Sequence, residues 1–70
     1  MAQTFTAAIQ QRDDWWIGWI EEIPGVNCQE RTKGELLETL RITLLEVVEL
    51  NRQYARAAAG PSFEEIIIHV

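Results

Sequence analysis

The sequence has too few cysteine and histidine residues for two of the usual stabilisers of a small domain. Its 70 residues include one cysteine and one histidine. The single cysteine, Cys28, cannot form an internal disulfide, and His69 alone gives no cluster of zinc ligands. A chain of this size buries only about 60–65 % of the surface that it exposes when unfolded, so it often depends on a disulfide, a metal or a partner. Of these three, association with another chain remains.

Basic residues and long apolar runs are also scarce. The chain has 6 lysine and arginine residues against 11 aspartate and glutamate residues, which gives a formal net charge of -5. Duplex nucleic acid carries roughly one negative charge per 1.7 Å, so we expect no direct binding to it by a short acidic chain. No apolar run approaches the roughly 18 residues of a membrane span, and the first residues do not resemble a signal peptide. We therefore expect a cytoplasmic protein without a membrane partner.

The first half of the chain has the pattern of three consecutive strands. A period-two alternation is followed by a short acidic turn, Asp13-Asp14, and then by an apolar, aromatic run. A Pro24-Gly25 pair, which is typical of tight turns, precedes a third short stretch. These signals predict strands joined by short connections. The predicted strands cover residues 4–12, 15–20 and 26–29.

A long amphipathic helix follows. Thr32 and Glu35 have the spacing of a capping box at a helix N-terminus. Gly60 suits the C-terminal cap, so the helix is predicted to end at residue 57 or 58. At 100° per residue the apolar side chains fall on one stripe, which is typical of a helix that covers a sheet. The stripe consists of Leu36, Leu37, Leu40, Leu44, Val47, Val48 and Tyr54.

A final strand is predicted at residues 63–70, where apolar residues alternate again. The element order is then βββαβ, within a single domain that covers residues 1–70. One helix stripe and one sheet predict a two-layer α+β fold, with one long helix on a four-stranded sheet. A right-handed crossover would place the last strand beside the first, in the spatial order 3-2-1-4.

A two-layer fold leaves one sheet face uncovered, and the second strand is apolar on both sides. We predict that Gly18 faces the helix, because a glycine there lets the helix backbone approach closely. The opposite face then carries an apolar patch, which marks an interaction surface. The alternative is that the helix and the C-terminal segment wrap more of the sheet. The predicted protein interface consists of Trp15, Ile17, Trp19 and Ile67.

The acidic residues do not have the spacing of a catalytic site. Asp13-Asp14 and Glu21-Glu22 lie at opposite ends of the predicted second strand, roughly 20 Å apart at about 3.4 Å per residue. They cannot share a metal within one chain. His69 has no positioned nucleophile beside it, and we expect Cys28 to be a small buried side chain. We predict no enzymatic activity, and a fold this small leaves little room for a cofactor or a small-molecule substrate.

A run of short motifs between Asp13 and Leu40 points to a family. An acidic turn and an aromatic strand are followed by Ile23-Pro24-Gly25, by Cys28-Gln29 and by Thr32 before a glutamate-rich helix. In this order the motifs resemble the HicB-like antitoxin family, over about residues 4–54. The resemblance implies a partial RNase H-like fold. It also implies a domain that binds and neutralises a HicA-like toxin, a small RNA-cleaving protein.

The sequence departs from the family pattern in several places. The acidic turn lacks the usual glycine, Glu30 stands where glycine is common, and Gly34 replaces an expected glutamate. The 70 residues also lack the C-terminal DNA-binding module of many members, so the resemblance implies a stand-alone antitoxin domain. Such antitoxins usually form homo-oligomers, and we expect a dimer or tetramer. The net charge of -5 favours a basic protein partner. The alternative function is a structural, homo-oligomerising domain without a toxin partner.

Overall fold

Three strands and one helix make up the protein, which we describe from a computed structural model over residues 4–69. The strands form one antiparallel sheet in the order β1-β2-β3, and the helix α1 packs on one of its faces. The predicted α+β class and the first four elements are therefore confirmed. The elements are β1 (Ala7–Arg12), β2 (Trp15–Ile20), β3 (Asn27–Glu30) and α1 (Lys33–Ala59).

The sheet has a continuous antiparallel register centred on β2. Ile9 of β1 and Cys28 of β3 both lie opposite Gly18. Asp13, in the turn between β1 and β2, has a φ of 54°, in the left-handed region that aspartate adopts more readily than most residues. This turn fixes the register, and with it the face on which each strand residue lies.

Both ends of α1 are closed by the residues that the sequence indicates. The Glu35 backbone N–H donates to the Thr32 hydroxyl at 3.1 Å, and the same hydroxyl donates to the Glu35 carboxylate at 3.0 Å. At the other end Gly60 has a φ of 84°, and its backbone N–H donates to the Arg56 carbonyl at 3.2 Å. The left-handed φ explains why a glycine ends the helix.

The core lies between the first half of α1 and the sheet. A Cβ atom on Gly18 would lie 2.7 Å from Leu40 Cδ1 and 3.2 Å from Leu36 Cδ2. Gly18 therefore faces the helix at close range, as predicted. The buried core residues are Ile20, Val26, Leu36 and Leu40. The partly buried residues around them are Phe5, Ile9, Trp16, Ile23, Cys28, Leu44 and Val47.

The second half of α1 extends beyond the sheet. A helix of 27 residues is about 40 Å long at 1.5 Å per residue, whereas a six-residue strand spans only about 20 Å. The last helix residue packed against the core is Val47, and Tyr54 is 65 % exposed. The prediction that Tyr54 shares the buried stripe is therefore wrong. We call residues 48–59 the helix overhang.

The predicted fourth strand is not formed within the described residues. Residues 63–69 belong to no strand, so the sheet has three strands where four were predicted. The physical reason is the overhang, because the chain leaves the helix about 18 Å beyond the last core contact. Val70, the last residue of the predicted strand, lies outside the described residues. In the part of the chain that is described, no helix is both long and apolar enough to cross a membrane.

Candidate protein-binding face

The sheet face opposite α1 is dominated by β2. Since Gly18 points toward the helix, the alternation of a strand places Trp15, Ile17 and Trp19 on the opposite face. Each of these three side chains is half-buried. We call this surface the tryptophan face. The structure thus brings together three of the four residues that the sequence predicts for a protein interface.

The neighbouring strands add small and amide side chains to the tryptophan face. The register sets Ala8 opposite Trp19, and Gln10 and Gln29 opposite Ile17. None of the described strand residues on this face is acidic. The strand residues that share it with β2 are Ala8, Gln10, Arg12, Asn27 and Gln29.

Two arginines cover the tryptophans. The guanidinium carbon of Arg31 lies 4.0 Å from the ring centroid of Trp15, and that of Arg12 lies 5.6 Å from the ring centroid of Trp19. Both distances are within the roughly 6 Å range of cation–π attraction. The tryptophan face is therefore more covered, and locally more positive, than the sequence predicts. Strand alternation with Gln10 is the only sequence signal that places Arg12 on this face. The stacking of the arginines on the tryptophans depends on the conformations of long, flexible side chains.

The negative charge of the protein lies around the tryptophan face rather than on it. One set of carboxylates, Asp13-Asp14 and Glu21-Glu22, lies at the two ends of β2 and is exposed. Glu30 is turned toward the helix, where its carboxylate accepts a hydrogen bond from the Thr39 hydroxyl at 2.8 Å. The exposed glutamates of α1 are Glu35, Glu38, Glu46 and Glu49.

Local hydrogen bonds keep two of these carboxylates ionised. The pKa of Glu22 is lowered chiefly because the Thr6 backbone N–H donates to its carboxylate at 2.8 Å. The pKa of Glu38 is lowered by hydrogen bonds from Arg41 and by its charge, and the pKa of Arg41 is raised in return. Both effects favour the charged forms, so these sites stay ionised below the pH at which a free glutamate is protonated.

The residues considered for catalysis are separated. The two carboxylate pairs lie at opposite ends of β2, and residues 4–69 contain no group of three or more metal-ligating side chains that could hold an ion. The Cys28 sulfur is partly buried and lies 3.6 Å from the Thr43 hydroxyl, between the sheet and the helix. His69 is exposed and lies outside the sheet.

Ile67, the fourth residue of the predicted interface, does not lie on the tryptophan face. It belongs to the segment after the helix that forms no strand, and it is 83 % exposed. Its predicted position depended on the fourth strand. The structure therefore separates Ile67 from Trp15, Ile17 and Trp19.

The composition of the tryptophan face is that of an interface centre. Tryptophan and arginine are the residues most enriched among those that dominate binding energy, and amides supply hydrogen bonds around them. A paired sheet also holds these side chains rigidly. Comparison of the chain with models of known protein families, with curated proteins and with solved structures finds no match.

Proposed function

We propose that this protein is a non-enzymatic, antitoxin-like module that binds and neutralises a HicA-like, RNA-cleaving toxin through its tryptophan face. The observation that carries the binding role is the sheet face on which Trp15, Ile17 and Trp19 turn away from the helix. The choice of partner rests on the HicB-like motifs between Asp13 and Leu40. The three-stranded sheet and long helix are compatible with such a domain.

The tryptophan face has the rigidity that a binding site needs. Trp15 and Trp19 are partly buried and keep the rest of their large side chains accessible to a partner. Trp15 and Trp19 are held on the central strand, with strands paired on both sides. The arginines that stack on them keep their charged groups at the surface, where they can pair with partner carboxylates or carbonyls. Binding would bury the part of each ring that is still exposed.

Electrostatics supports a basic partner at long range. The net charge of -5 would speed the encounter with a basic RNA-cleaving protein. The acidic groups at the two ends of β2 border the tryptophan face, so they can contact basic groups at the rim of an interface. In this arrangement the aromatic centre supplies affinity and the acidic rim supplies orientation.

The proposal also includes the partial RNase H-like fold that the family resemblance implies. A partial RNase H-like domain has four strands, and the alternating apolar residues in 63–70 supply the sequence of the fourth. This strand would form on association. A toxin that cleaves cellular RNA acts in the cytoplasm, so the proposal also places the protein there, as a homo-oligomer.

The direct test is an RNA-cleavage assay with a HicA-like toxin, sought first as a small basic protein encoded beside this one. Wild-type protein should abolish cleavage at equimolar concentration. Trp19→Lys should weaken inhibition by about a hundredfold, since it places a second charge beside Arg12 in the binding centre. Ile42→Lys is the matched control, because Ile42 is 46 % exposed on α1, away from the sheet. Undiminished cleavage in the presence of excess wild-type protein would refute the proposal.

The second candidate function is a structural homo-oligomer without a toxin partner. The observation that favours it is the set of exposed isoleucines after the helix, Ile66, Ile67 and Ile68. Under this alternative the protein self-associates, and neither the wild type nor Trp19→Lys alters RNA cleavage.

A further inference from the structure

The segment after the helix exposes an unusual amount of apolar surface. Ile66, Ile67 and Ile68 are consecutive and are 76 %, 83 % and 80 % exposed. Single exposed apolar residues are common, but a run of three marks either an interaction site or an aggregation hazard. We call residues 63–69 the C-terminal segment.

The C-terminal segment has the sequence of a strand that lacks a partner. β-branched isoleucines alternate sides, with Ile66 and Ile68 on one side and Ile67 on the other. Its described contact with the rest of the chain includes an ion pair between Glu65 and Arg56 at 3.2 Å. Both partners of that pair are at least half exposed, so the pair contributes little.

The sheet has an open edge that a further strand can join. Within residues 4–69, β1 is paired only with β2. The Glu21 N–H donates to the Thr6 carbonyl at 2.9 Å, so the Thr6 backbone points toward β2. By the alternation of an antiparallel ladder, the N–H and C=O groups of Ala7, Ile9 and Gln11 point to the open edge. An unpaired edge of this kind is a template for strand addition.

The side chains of β1 leave room on both faces for an added strand. Ala7 lies on the helix side and Ala8 on the tryptophan side, and both are exposed. The other open edge, on β3, is less suitable. β3 has only four residues, whereas β1 has six. β3 also ends at Glu30, which would repel Glu64 and Glu65 of the segment, and β1 contains no acidic residue.

The helix overhang prevents the segment from covering its own sheet fully. After Gly60 the chain must return about 18 Å to reach the level of the last core contact. At about 3.3 Å per residue this distance takes five or six residues. Only residues from about Ile66 onward could therefore lie beside β1 of the same chain, and most of the segment would remain unpaired.

We propose that the C-terminal segment pairs, as a fourth strand, with β1 of a second copy of this chain. Reciprocal exchange then gives a two-fold dimer in which each sheet has the order 3-2-1-4, with strand four supplied by the partner. Ile66 and Ile68 extend the layer under the helix, and Ile67 joins the tryptophan face. The second copy also lies near the overhang, where Leu50 and Tyr54 are 44 % and 65 % exposed. The proposal does not depend on a toxin, so it is tested on this protein alone.

The test is sedimentation velocity of the full chain over a range of concentrations. Wild type is expected to be a dimer at micromolar concentration. Gln11→Pro removes a backbone N–H from the open edge while leaving the β1–β2 ladder intact, since proline is tolerated at such positions. A second, double variant, Ile66→Lys with Ile68→Lys, places two positive charges on the C-terminal segment. Each should weaken dimerisation at least tenfold with unchanged circular dichroism, whereas Ile42→Lys on α1 should not.

Amide hydrogen exchange distinguishes strand pairing between two chains from strand pairing within one chain. Protection of residues 63–69 should rise with protein concentration if the partner strand belongs to a second copy. Protection that is independent of concentration would contradict the proposal, as would a wild type that stays monomeric. A dimer that persists in Gln11→Pro, or that Ile42→Lys dissociates, would also overturn it, because another surface would then hold the dimer.

Discussion

At the scale of single residues, Gly18 has the least space around it of the four glycines. It lies where β2 passes under the helix, opposite Ile9 on one strand and Cys28 on the other. A Cβ atom at this position would lie 2.7 Å from Leu40 Cδ1, so a methyl group has no space without movement of the core. The close packing of helix and sheet therefore requires a glycine here.

We expect Gly18→Val to lower the free energy of unfolding by about 2–3 kcal/mol, because the added methyl groups overpack the core. Urea denaturation monitored by tryptophan fluorescence measures this change. Gly34→Ala is the matched control, since no atom lies within 4 Å of its added Cβ and alanine favours helix; it should be neutral or stabilising by up to about 1 kcal/mol. Equal destabilisation by both variants would contradict the proposed packing.

Glu22 gives the protein a pH-dependent contact at the residue scale. The Thr6 amide lowers the pKa of this carboxyl from its ordinary value of 4.5, so the contact stabilises the fold above that pH and is lost as the pH falls through the folded value. We expect the wild type to lose stability on acidification below about pH 4.5, and Glu22→Gln to remove part of that loss. Glu21→Gln is the control, since the Thr6 amide does not donate to Glu21. Identical acid profiles for wild type and Glu22→Gln would exclude this role.

At the scale of elements, local signals predict β2, β3 and α1 within one to two residues. The reason is that turns, caps and alternation are encoded by neighbours in sequence: Thr32 begins the helix and Gly60 ends it, as their residue types indicate. The prediction of a fourth strand is wrong because strand pairing depends on where the chain leaves the 27-residue helix. The stacking of Arg12 and Arg31 on the tryptophans could not be predicted either, because it depends on the conformations of long side chains.

The difference between the buried and the exposed face of α1 predicts unequal effects of leucine truncation. Leu40 is 2 % exposed and Leu45 is 59 % exposed. Leu40→Ala should cost about 2–5 kcal/mol of unfolding free energy because it leaves a cavity, whereas Leu45→Ala should cost less than about 0.5 kcal/mol. Thermal and urea unfolding of the two variants provide the comparison. A large loss of stability in Leu45→Ala would mean that the outer face of the helix is packed.

At the scale of the whole molecule, the tryptophan face is separated from the acidic groups. The tryptophan face is aromatic and carries two guanidinium groups, while carboxylates lie at both ends of β2 and along α1. The apolar patch and the acidic groups behind the net charge of -5 therefore occupy different surfaces. A partner of the proposed kind would use both, with its apolar centre on the tryptophan face and its basic groups at the rim.

The most direct test of the tryptophan face uses the three tryptophan indole N–H signals in a nitrogen-15 NMR spectrum, recorded while the proposed HicA-like partner is added. Trp15 and Trp19 lie on the face, and Trp16 packs on the helix side as an internal control. We predict that the Trp15 and Trp19 signals shift or broaden on binding and that the Trp16 signal changes least. Unchanged signals, or a change confined to Trp16, would contradict the proposed binding face.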